Sequence, residues 1–194
     1  MIQEGLWLKL KKGDKKAFGS VYELCIDDMY AYGLKLNANK ELVKDCIQEV
    51  FIDIFEHRNS ISEPNNIKFY ILKSLKHTIF RKLKKERRNV DIMEFSNLEF
   101  KPEYNIEDKR ILGEINDCKI KLIKKALQSL SSKQREILYL RFTMGLTYHE
   151  ISEIVKIDHN SVRKQVYRAI KKLRNSKAFD DYQSIILFYS SLTY

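Results

Sequence analysis

The amino-acid sequence predicts an all-α protein made of two small helical domains that a flexible acidic linker joins. Apolar residues recur at steps of three and four along most of the chain, which is the period of one α-helix face. Only 6 Gly and 2 Pro occur in 194 residues, too few for a turn-rich β-sandwich. Two basic stretches flank an acidic one. We therefore predict domains at 1–89 and 106–175, an acidic linker at 90–105 and an apolar C-terminal extension at 176–194.

Composition excludes several classes of protein. The chain has 36 Lys and Arg against 26 Asp and Glu, a net charge of +10, while 44% of its residues are hydrophobic. That apolar fraction is enough for packed cores and too high for a disordered chain. Its cysteines, Cys25, Cys46 and Cys118, are far apart and predict free thiols rather than a disulfide framework. The longest apolar run, Ile185 to Tyr189, is too short to span a bilayer, so we expect a cytoplasmic protein.

Three helices are predicted in the first domain. The first carries its apolar face at Phe18, Val21, Tyr22, Cys25, Met29, Tyr32 and Leu36. The second carries the apolar pairs Leu42/Val43, Cys46/Ile47, Val50/Phe51 and Ile54/Phe55. The third runs from about Ile67 to Arg88, after a loop from Arg58 to Asn66. Its predicted buried stripe consists of Leu72, Leu75, Ile79 and Leu83.

The second domain contains a predicted helix-turn-helix. A capping box at Ser131–Gln134 begins a helix that extends to about Phe142, and a second box at Thr147–Glu150 begins a short helix. After a tight turn, Asp158 caps a further helix. The inner face of this last helix is predicted to comprise Val162, Val166, Ala169, Ile170 and Leu173. A short helix, a tight turn and a second helix are the layout of a helix-turn-helix.

The sequence contains no convincing catalytic or metal-binding constellation. Its four histidines, His57, His77, His149 and His159, have no metal-ligand spacing with one another or with a cysteine. Gly-rich nucleotide-binding loops and the G-x-S-x-G nucleophile motif are both absent from it. We therefore predict no catalytic residue, no metal, no cofactor and no enzymatic activity.

Basic residues concentrate on two helices that we expect to bind nucleic acid. From Ile67 to Arg88 there are nine bases and one acid, and from His159 to Lys177 there are seven bases and no acid. Lys and Arg on one helix face can hold phosphates, and Arg163 can fork onto guanine. The alternative interpretation is an ordinary solvated basic face. The outer face of the second helix is predicted to present His159, Asn160, Arg163, Lys164, Tyr167, Arg168, Lys171 and Lys172.

Smaller polar groups complete the candidate sites. Asn65 and Asn66 precede the first basic helix, and their amides can pair with a base edge. Aromatic residues interleave its bases, and of these we expect Phe80 to be buried in the core. The trio of Asp45, Gln48 and Glu49 shares one helix face, which on spacing alone is as consistent with a solvated surface as with a contact.

Together these motifs resemble a known family. The segment Asp45-Cys46-Ile47-Gln48-Glu49-Val50-Phe51 is similar to the DxxQExF helix of bacterial RNA polymerase sigma factors. The stretch from Leu130 to Leu138, continued from Gly145 to Ser152, resembles the start of their region 4, and Ser161 to Leu173 resembles its recognition helix. The chain is too short for the extra regions of housekeeping members. It therefore resembles the extracytoplasmic-function (ECF) sigma factors over roughly residues 10–175.

The resemblance implies a role for each segment. Residues 1–89 would form sigma region 2, a domain of three to four helices, and residues 106–175 would form the region 4 helix-turn-helix. The implied polymerase contacts are Asp45, Gln48 and Glu49. The implied contacts to the −10 promoter element are Asn65, Asn66, Tyr70, Lys73, His77, Arg81 and Lys84. The implied contacts to the −35 element are His159, Asn160, Arg163, Lys164, Gln165, Tyr167 and Arg168.

The function implied is a sequence-specific transcription initiation factor that directs core RNA polymerase to −10 and −35 elements. Its implied partners are core polymerase, through the β′ clamp and the β flap, promoter DNA and an anti-sigma factor, with no small-molecule substrate and no insertion into a membrane. The competing hypothesis is a stand-alone helix-turn-helix regulator whose first domain is a sensor or dimerisation module.

The sequence departs from the family pattern at four positions. His77 stands where the family often has Asn, Arg81 where it often has Asp, and Tyr70 where it often has Trp. The family's −10 sequence preference is therefore not carried over to this chain. Lys156 stands where the family usually has Gly in the helix-turn-helix turn. A positive φ at Lys156 is expected to cost about 1 kcal/mol.

Overall fold

The computed structural model describes residues 5–36, 39–86, 100–101 and 125–176. All regular structure within these ranges is helical. The chain divides into two compact units, Met1–Phe95 and Ser96–Tyr194. Most of the predicted linker and nearly all of the predicted C-terminal extension lie outside the described residues. The boundaries 1–89, 90–105, 106–175 and 176–194 therefore stay predictions.

The first unit contains four described helices, and side-chain caps begin three of them. The helices are α1 (Leu6–Lys11), α2 (Lys15–Leu36), α3 (Lys40–Glu56) and α4 (Ile67–Glu86). The Asp14 carboxylate accepts the N–H of Lys16 at 2.8 Å at the start of α2. The side-chain oxygens of Asn39 and Asn66 each accept a backbone N–H at 3.1 Å in the first turns of α3 and α4. These acceptors satisfy N–H groups that the helices leave unpaired.

The core of the first unit lies where α2, α3 and α4 pack on one another, with α1 packed on α2. Its largest fully buried side chains include Trp7, Met29, Tyr32, Ile54, Ile71, Leu72, Leu75 and Ile79. Phe80 is also buried, as predicted. Gly33 marks the close approach of α2 to α3, because a Cβ at that position would lie 2.6 Å from Cγ1 of Val43.

Four residues predicted to be buried in the first unit are not. Phe18 and Leu83 are half-buried, while Tyr22 and Phe55 are 41% and 39% exposed. Phe18 contacts the rings of Phe51 and Phe55, and Tyr22 contacts the ring of Phe51. These aromatic residues sit at the edge of the α2–α3 interface, so the predicted apolar face was too wide.

In the second unit residues 125–128 are helical, and three further helices follow them. They are α5 (Ser132–Leu138), α6 (Tyr148–Val155) and α7 (His159–Arg174). Both predicted capping boxes are confirmed, at Ser131/Gln134 and at Thr147/Glu150. A π-helical turn, Tyr139–Thr143, continues α5, so the regular helix predicted to reach Phe142 ends earlier. The prediction that Ile170 faces inward is wrong, because its side chain is 36% exposed at the edge of the buried stripe.

One described residue of the predicted linker belongs to the core of the second unit. Phe100 is fully buried, and its ring lies 5.4 Å from the ring of Tyr139. Its backbone N–H donates to Oγ of Ser132 at 2.6 Å, and its carbonyl accepts from Nε of Arg135 at 3.0 Å. The packed part of the second unit therefore includes this position.

Candidate nucleic-acid interface

Helix α7 presents the predicted DNA-reading residues on its outer face. Asp158 caps the helix by accepting the N–H groups of Ser161 at 3.2 Å and Asn160 at 2.8 Å. These hydrogen bonds, that from Ser161 foremost, hold the pKa of Asp158 below its ordinary value. The buried inner face consists of Val162, Val166, Ala169 and Leu173. The predicted residues that are exposed are His159, Asn160, Arg163, Lys164, Tyr167 and Arg168.

Gln165 differs from the other predicted −35 residues. Its side chain is half-buried, and its Oε1 accepts from Nε2 of Gln134 at 3.1 Å. Gln134 is the residue whose side chain also closes the capping box of α5. Gln165 therefore ties α7 to α5 within the unit.

Tyr148, which sequence reasoning did not select, lies against the predicted base-reading arginine. The guanidinium carbon of Arg163 is 5.6 Å from the centre of the Tyr148 ring, and that of Arg141 is 4.7 Å from it. Arg141 is itself held by donating to the carbonyl of Leu146 at 2.8 Å. Cation–π contacts of this kind restrict where a guanidinium can go. The only sequence signal for the contact of Tyr148 with Arg163 was that Tyr148 is an aromatic residue at the first position of α6.

The turn before α7 has a left-handed backbone. Lys156, the C-cap of α6, has φ 52° and ψ 53°. Lys156 therefore has the positive φ that was expected at this position, where the family usually has Gly. Gly145, before α6, also has a positive φ of 70°. Lys156 reverses the chain between α6 and α7, whereas Gly145 reverses it before α6.

Helix α4 carries a second basic face. Lys73, His77, Arg81 and Lys84 are exposed and follow one another at steps of four, four and three, so they share one side of the helix. Tyr70 is half-buried, edge-on to Trp7 with ring centres 5.5 Å apart, and burial raises its pKa. The exposed basic stripe is the arrangement expected for holding a phosphate backbone.

The loop before α4 offers one exposed amide rather than two. Asn65 is exposed, whereas Asn66 is half-buried and uses its side-chain oxygen to cap α4 at the N–H of Phe69. Asn66 therefore has a structural role that the sequence analysis did not assign to it.

Helix α3 divides its predicted polymerase-binding residues between two environments. Asp45 and Gln48 are exposed. Glu49 is turned toward α4, where its carboxylate pairs with Nζ of Lys82 at 3.2 Å and with the guanidinium of Arg81. Burial opposes its ionisation, but the hydrogen bonds and charges of these two cations outweigh burial and lower its pKa.

An apolar groove of about 940 Å³ runs beside this part of α3. Gln48 lines it together with side chains of α2 and α3, among them Phe18, Tyr22, Ile47, Phe51, Ile52 and Phe55. Tyr22 and Phe55 belong to this groove rather than to the core. Exposed aromatic and aliphatic side chains that line one groove are typical of a docking surface.

Among the described residues, one group has the geometry of a metal site. Ligand atoms of Asp53, Glu56 and His57 lie within 4.8 Å of one another at the exposed end of α3. Exposed carboxylates often cluster without a metal ion, and we assign this group no role. Over the described ranges, no helix is both long enough and apolar enough to span a bilayer.

The fold and these surfaces define a class of protein: two helical units, one of which is a helix-turn-helix, each with an exposed basic helix face. The family model for "Sigma-70 region 2" matches residues 21–89, and that for "Sigma-70, region 4" matches residues 120–173. The chain belongs to the sigma-70 family of RNA polymerase sigma factors, in its ECF group. It is a transcription initiation factor that directs core RNA polymerase to promoter DNA.

Similar proteins support the same assignment. The ECF RNA polymerase sigma factor SigM of Bacillus subtilis (strain 168) is 22% identical over 160 residues, which cover 79% of this chain and 91% of SigM. The sigma factor SigV of that organism is 26% identical over 147 residues, which cover 76% of this chain and 82% of SigV.

Two solved structures share the fold. One is the sigma factor RpoE from Bartonella quintana in complex with the anti-sigma factor NepR, with a TM-score of 0.58, 19% identity and coverage of 86% of this chain and 99% of that chain. The other is CnrH in complex with the cytosolic domain of CnrY, with a TM-score of 0.55, 14% identity and coverage of 87% and 92%.

Proposed function

We propose that this sigma factor divides its contacts among three surfaces. The −35 surface is the outer face of α7, the −10 surface is the basic face of α4 with the loop before it, and the polymerase surface is α3 with its apolar groove. The observation that carries the proposal is α7, which buries its apolar face and exposes six of the seven predicted −35 residues. In a helix-turn-helix, residues near the start of this helix read base edges, and those further along hold phosphates.

Arg163 is the proposed base-reading residue of the −35 surface. It lies in the first turns of α7, is exposed, and has its guanidinium steadied by the ring of Tyr148. A guanidinium can donate two parallel hydrogen bonds to O6 and N7 of guanine. Lys164, Tyr167 and Arg168 follow on the exposed side, where they can reach the adjacent bases and phosphates.

The −10 surface combines a basic stripe with a loop amide. Lys73, His77, Arg81 and Lys84 supply the stripe that holds the DNA backbone, and Asn65 at the loop supplies a free amide for a base edge. Tyr70, in the first turn of α4, is packed edge-on against Trp7 of α1 and so is held at the start of this surface.

The polymerase surface rests on Asp45, on Gln48 and on the groove that Gln48 lines. Gln48 there adjoins exposed aromatic and aliphatic residues, a combination common in protein–protein contacts. We propose that core polymerase is bound here. An anti-sigma factor is the further partner proposed, since the related RpoE was solved in complex with one. The protein would act in the cytoplasm, would bind no cofactor and would catalyse no reaction of its own.

Retention of core polymerase by the purified full chain, in the absence of DNA, tests this proposal. The wild-type chain should retain core, and the double variant Asp45→Ala/Gln48→Ala should retain much less while remaining folded, because exposed substitutions usually change stability by less than about 0.5 kcal/mol. Glu41→Gln, an exposed substitution in the first turn of the same helix, is the matched control.

Two results would count against the proposal. A wild-type chain that binds DNA but does not retain core polymerase would point to the stand-alone regulator. Unchanged retention by the double variant would move the polymerase contact away from Asp45 and Gln48.

A further inference from the structure

Glu49 makes contacts that set it apart from its neighbours on α3. It follows Gln48 directly, yet its carboxylate crosses to α4 and bridges two successive cations there. One carboxylate oxygen is 3.2 Å from Nζ of Lys82, and the other pairs with the guanidinium of Arg81. Both carboxylate oxygens are thus occupied within the first unit.

The three polar residues of α3 also differ in exposure. Asp45 and Gln48 face solvent, whereas the Glu49 side chain is only 33% exposed. The Lys82 side chain is similarly covered, with 29% of it exposed, whereas the Arg81 side chain is 50% exposed. An ion pair with two cations and partial burial is more persistent than an isolated surface pair. Glu49 therefore has less freedom to reach a separate protein than Asp45 or Gln48 has.

Arg81 connects this contact to the −10 surface. It shares the exposed stripe of α4 with Lys73, His77 and Lys84, so its guanidinium lies among the groups proposed to hold DNA. A carboxylate paired with Arg81 fixes the direction of its side chain and cancels one positive charge at that end of the stripe. The pair also links α3 to α4.

We propose that Glu49 is a positioning residue for the −10 surface rather than a polymerase contact: its carboxylate holds Arg81 and Lys82 and limits the affinity of this end of α4 for any single-stranded DNA. The inference rests on the proposed function of α4. The ligand of this surface is the phosphate backbone of single-stranded DNA. Contacts to phosphates do not depend on the DNA sequence. When they are weaker, a larger share of the binding free energy comes from contacts to bases.

A double-variant cycle with the full chain tests the inference, with fluorescein-labelled oligo(dT) as the probe at several salt concentrations. Glu49→Gln should tighten binding by about threefold to tenfold, because the variant gains one uncompensated positive charge. The slope of log K against log salt should steepen by about 0.7, the value for one more phosphate contact on a single strand. In an Arg81→Gln/Lys82→Gln background, the gain from Glu49→Gln should fall below twofold.

Core polymerase retention supplies the second readout. Glu49→Gln should retain core as the wild type does, while Asp45→Ala/Gln48→Ala does not. Loss of core retention in Glu49→Gln, with unchanged oligo(dT) affinity, would overturn the inference and make Glu49 a polymerase contact. An equal gain in the Arg81→Gln/Lys82→Gln background would overturn it as well. The oligo(dT) cycle does not depend on core retention, so a failure of the proposed polymerase surface is seen separately.

Discussion

At the scale of single residues, backbone conformation at Lys156 shows how one position shapes the DNA-reading unit. Lys156 has a left-handed backbone, in which the Cβ of any residue but Gly crowds the neighbouring peptide. The turn nevertheless needs this conformation, because it joins α6 to α7 with few residues between them. The second unit therefore stores strain at a position where the sequence has Lys.

Lys156→Gly should stabilise the second unit by about 1 kcal/mol, because Gly adopts positive φ without a Cβ clash. Lys156→Ala is the matched control, since it removes the same charged side chain and keeps the Cβ. Urea unfolding followed by circular dichroism measures both changes in the free energy of unfolding. Equal stabilisation by the two variants would show that the lysine side chain, rather than the backbone, is the source of the effect.

The pair of Tyr148 and Arg163 is a second effect at this scale. An aromatic ring beside an exposed guanidinium restricts its orientations, and so reduces the entropy lost when it binds a base. Tyr148 comes from α6 and Arg163 from α7, so the turn at Lys156 brings them together. The periodicity of either helix alone could not reveal the pair.

Tyr148→Leu should weaken discrimination at the base pair that Arg163 reads by about 0.5–1 kcal/mol, the strength of an exposed cation–π contact. Arg163→Ala sets the upper limit at that base pair, roughly 1–3 kcal/mol. Tyr148→Phe should retain discrimination, and Lys171→Ala should weaken binding to all sequences alike. Binding of the holoenzyme to a set of −35 variants measures these effects. Full discrimination in Tyr148→Leu would remove Tyr148 from this role.

At the scale of elements, the sequence predicted α2 to α4 and α5 to α7, because helix period and capping are local properties, but it missed the short helix α1. The capping boxes at Ser131 and Thr147 and the cap at Asp158 are confirmed. The π-helical turn after α5 could not be predicted, since it arises from how the chain packs. The predicted burial of Tyr22 and of Ile170 was wrong, because the spacing of apolar residues identifies the buried face of a helix but not how wide that face is. Width is decided by the neighbouring helices.

Two glycines of α2 provide a test of helix packing. Gly33→Ala should destabilise the first unit by roughly 1–3 kcal/mol, because the new methyl group would overlap the side chain of Val43 across the α2–α3 contact. Gly19→Ala is the matched control: nothing lies within 4 Å of a Cβ there, so Ala should stabilise the helix by up to about 1 kcal/mol. Thermal unfolding of both variants measures whether each substitution lowers or raises the stability of the first unit.

The double variant Gly33→Ala/Val43→Ala separates overlap from other causes. Removing the Val43 methyl groups makes room for the new one, so the loss from Gly33→Ala should be smaller in this background. A loss of equal size in both backgrounds would show that the α2–α3 approach does not depend on this contact.

At the scale of the whole molecule, the sequence predicted where basic residues concentrate more completely than it predicted which side chains of different helices contact one another. The net charge of +10 and its concentration on two helices pointed to nucleic acid, and both helices do present basic faces. The pairing of Glu49 with Arg81 was not predicted, because it depends on the register of α3 against α4. The same holds for Gln165 with Gln134 and for the burial of Phe100. Such contacts join residues about 30 positions apart or more, beyond the reach of a local pattern.

Two buried thiols report on the opening of the whole first unit. Cys25 and Cys46 are free and almost fully buried in the core between the helices. Burial, with a contribution from the charge of Asp28, raises the pKa of Cys25 to about 11, and burial raises that of Cys46 to about 11. The thiolate is the reactive form, so at pH 8 both groups are protonated as well as shielded.

We therefore expect Cys25 and Cys46 to react with a thiol reagent such as 5,5′-dithiobis(2-nitrobenzoate) only through unfolding of the first unit. The experiment uses a Cys118→Ser chain, so that the signal comes from these two thiols alone. Gly33→Ala should accelerate their reaction about tenfold for each 1.4 kcal/mol of lost stability, because the rate follows the unfolded fraction. Lys156→Gly, in the second unit, should leave the rate unchanged. Rapid reaction of either thiol in the native chain, at a rate that Gly33→Ala does not alter, would show that the α2–α3–α4 core opens locally.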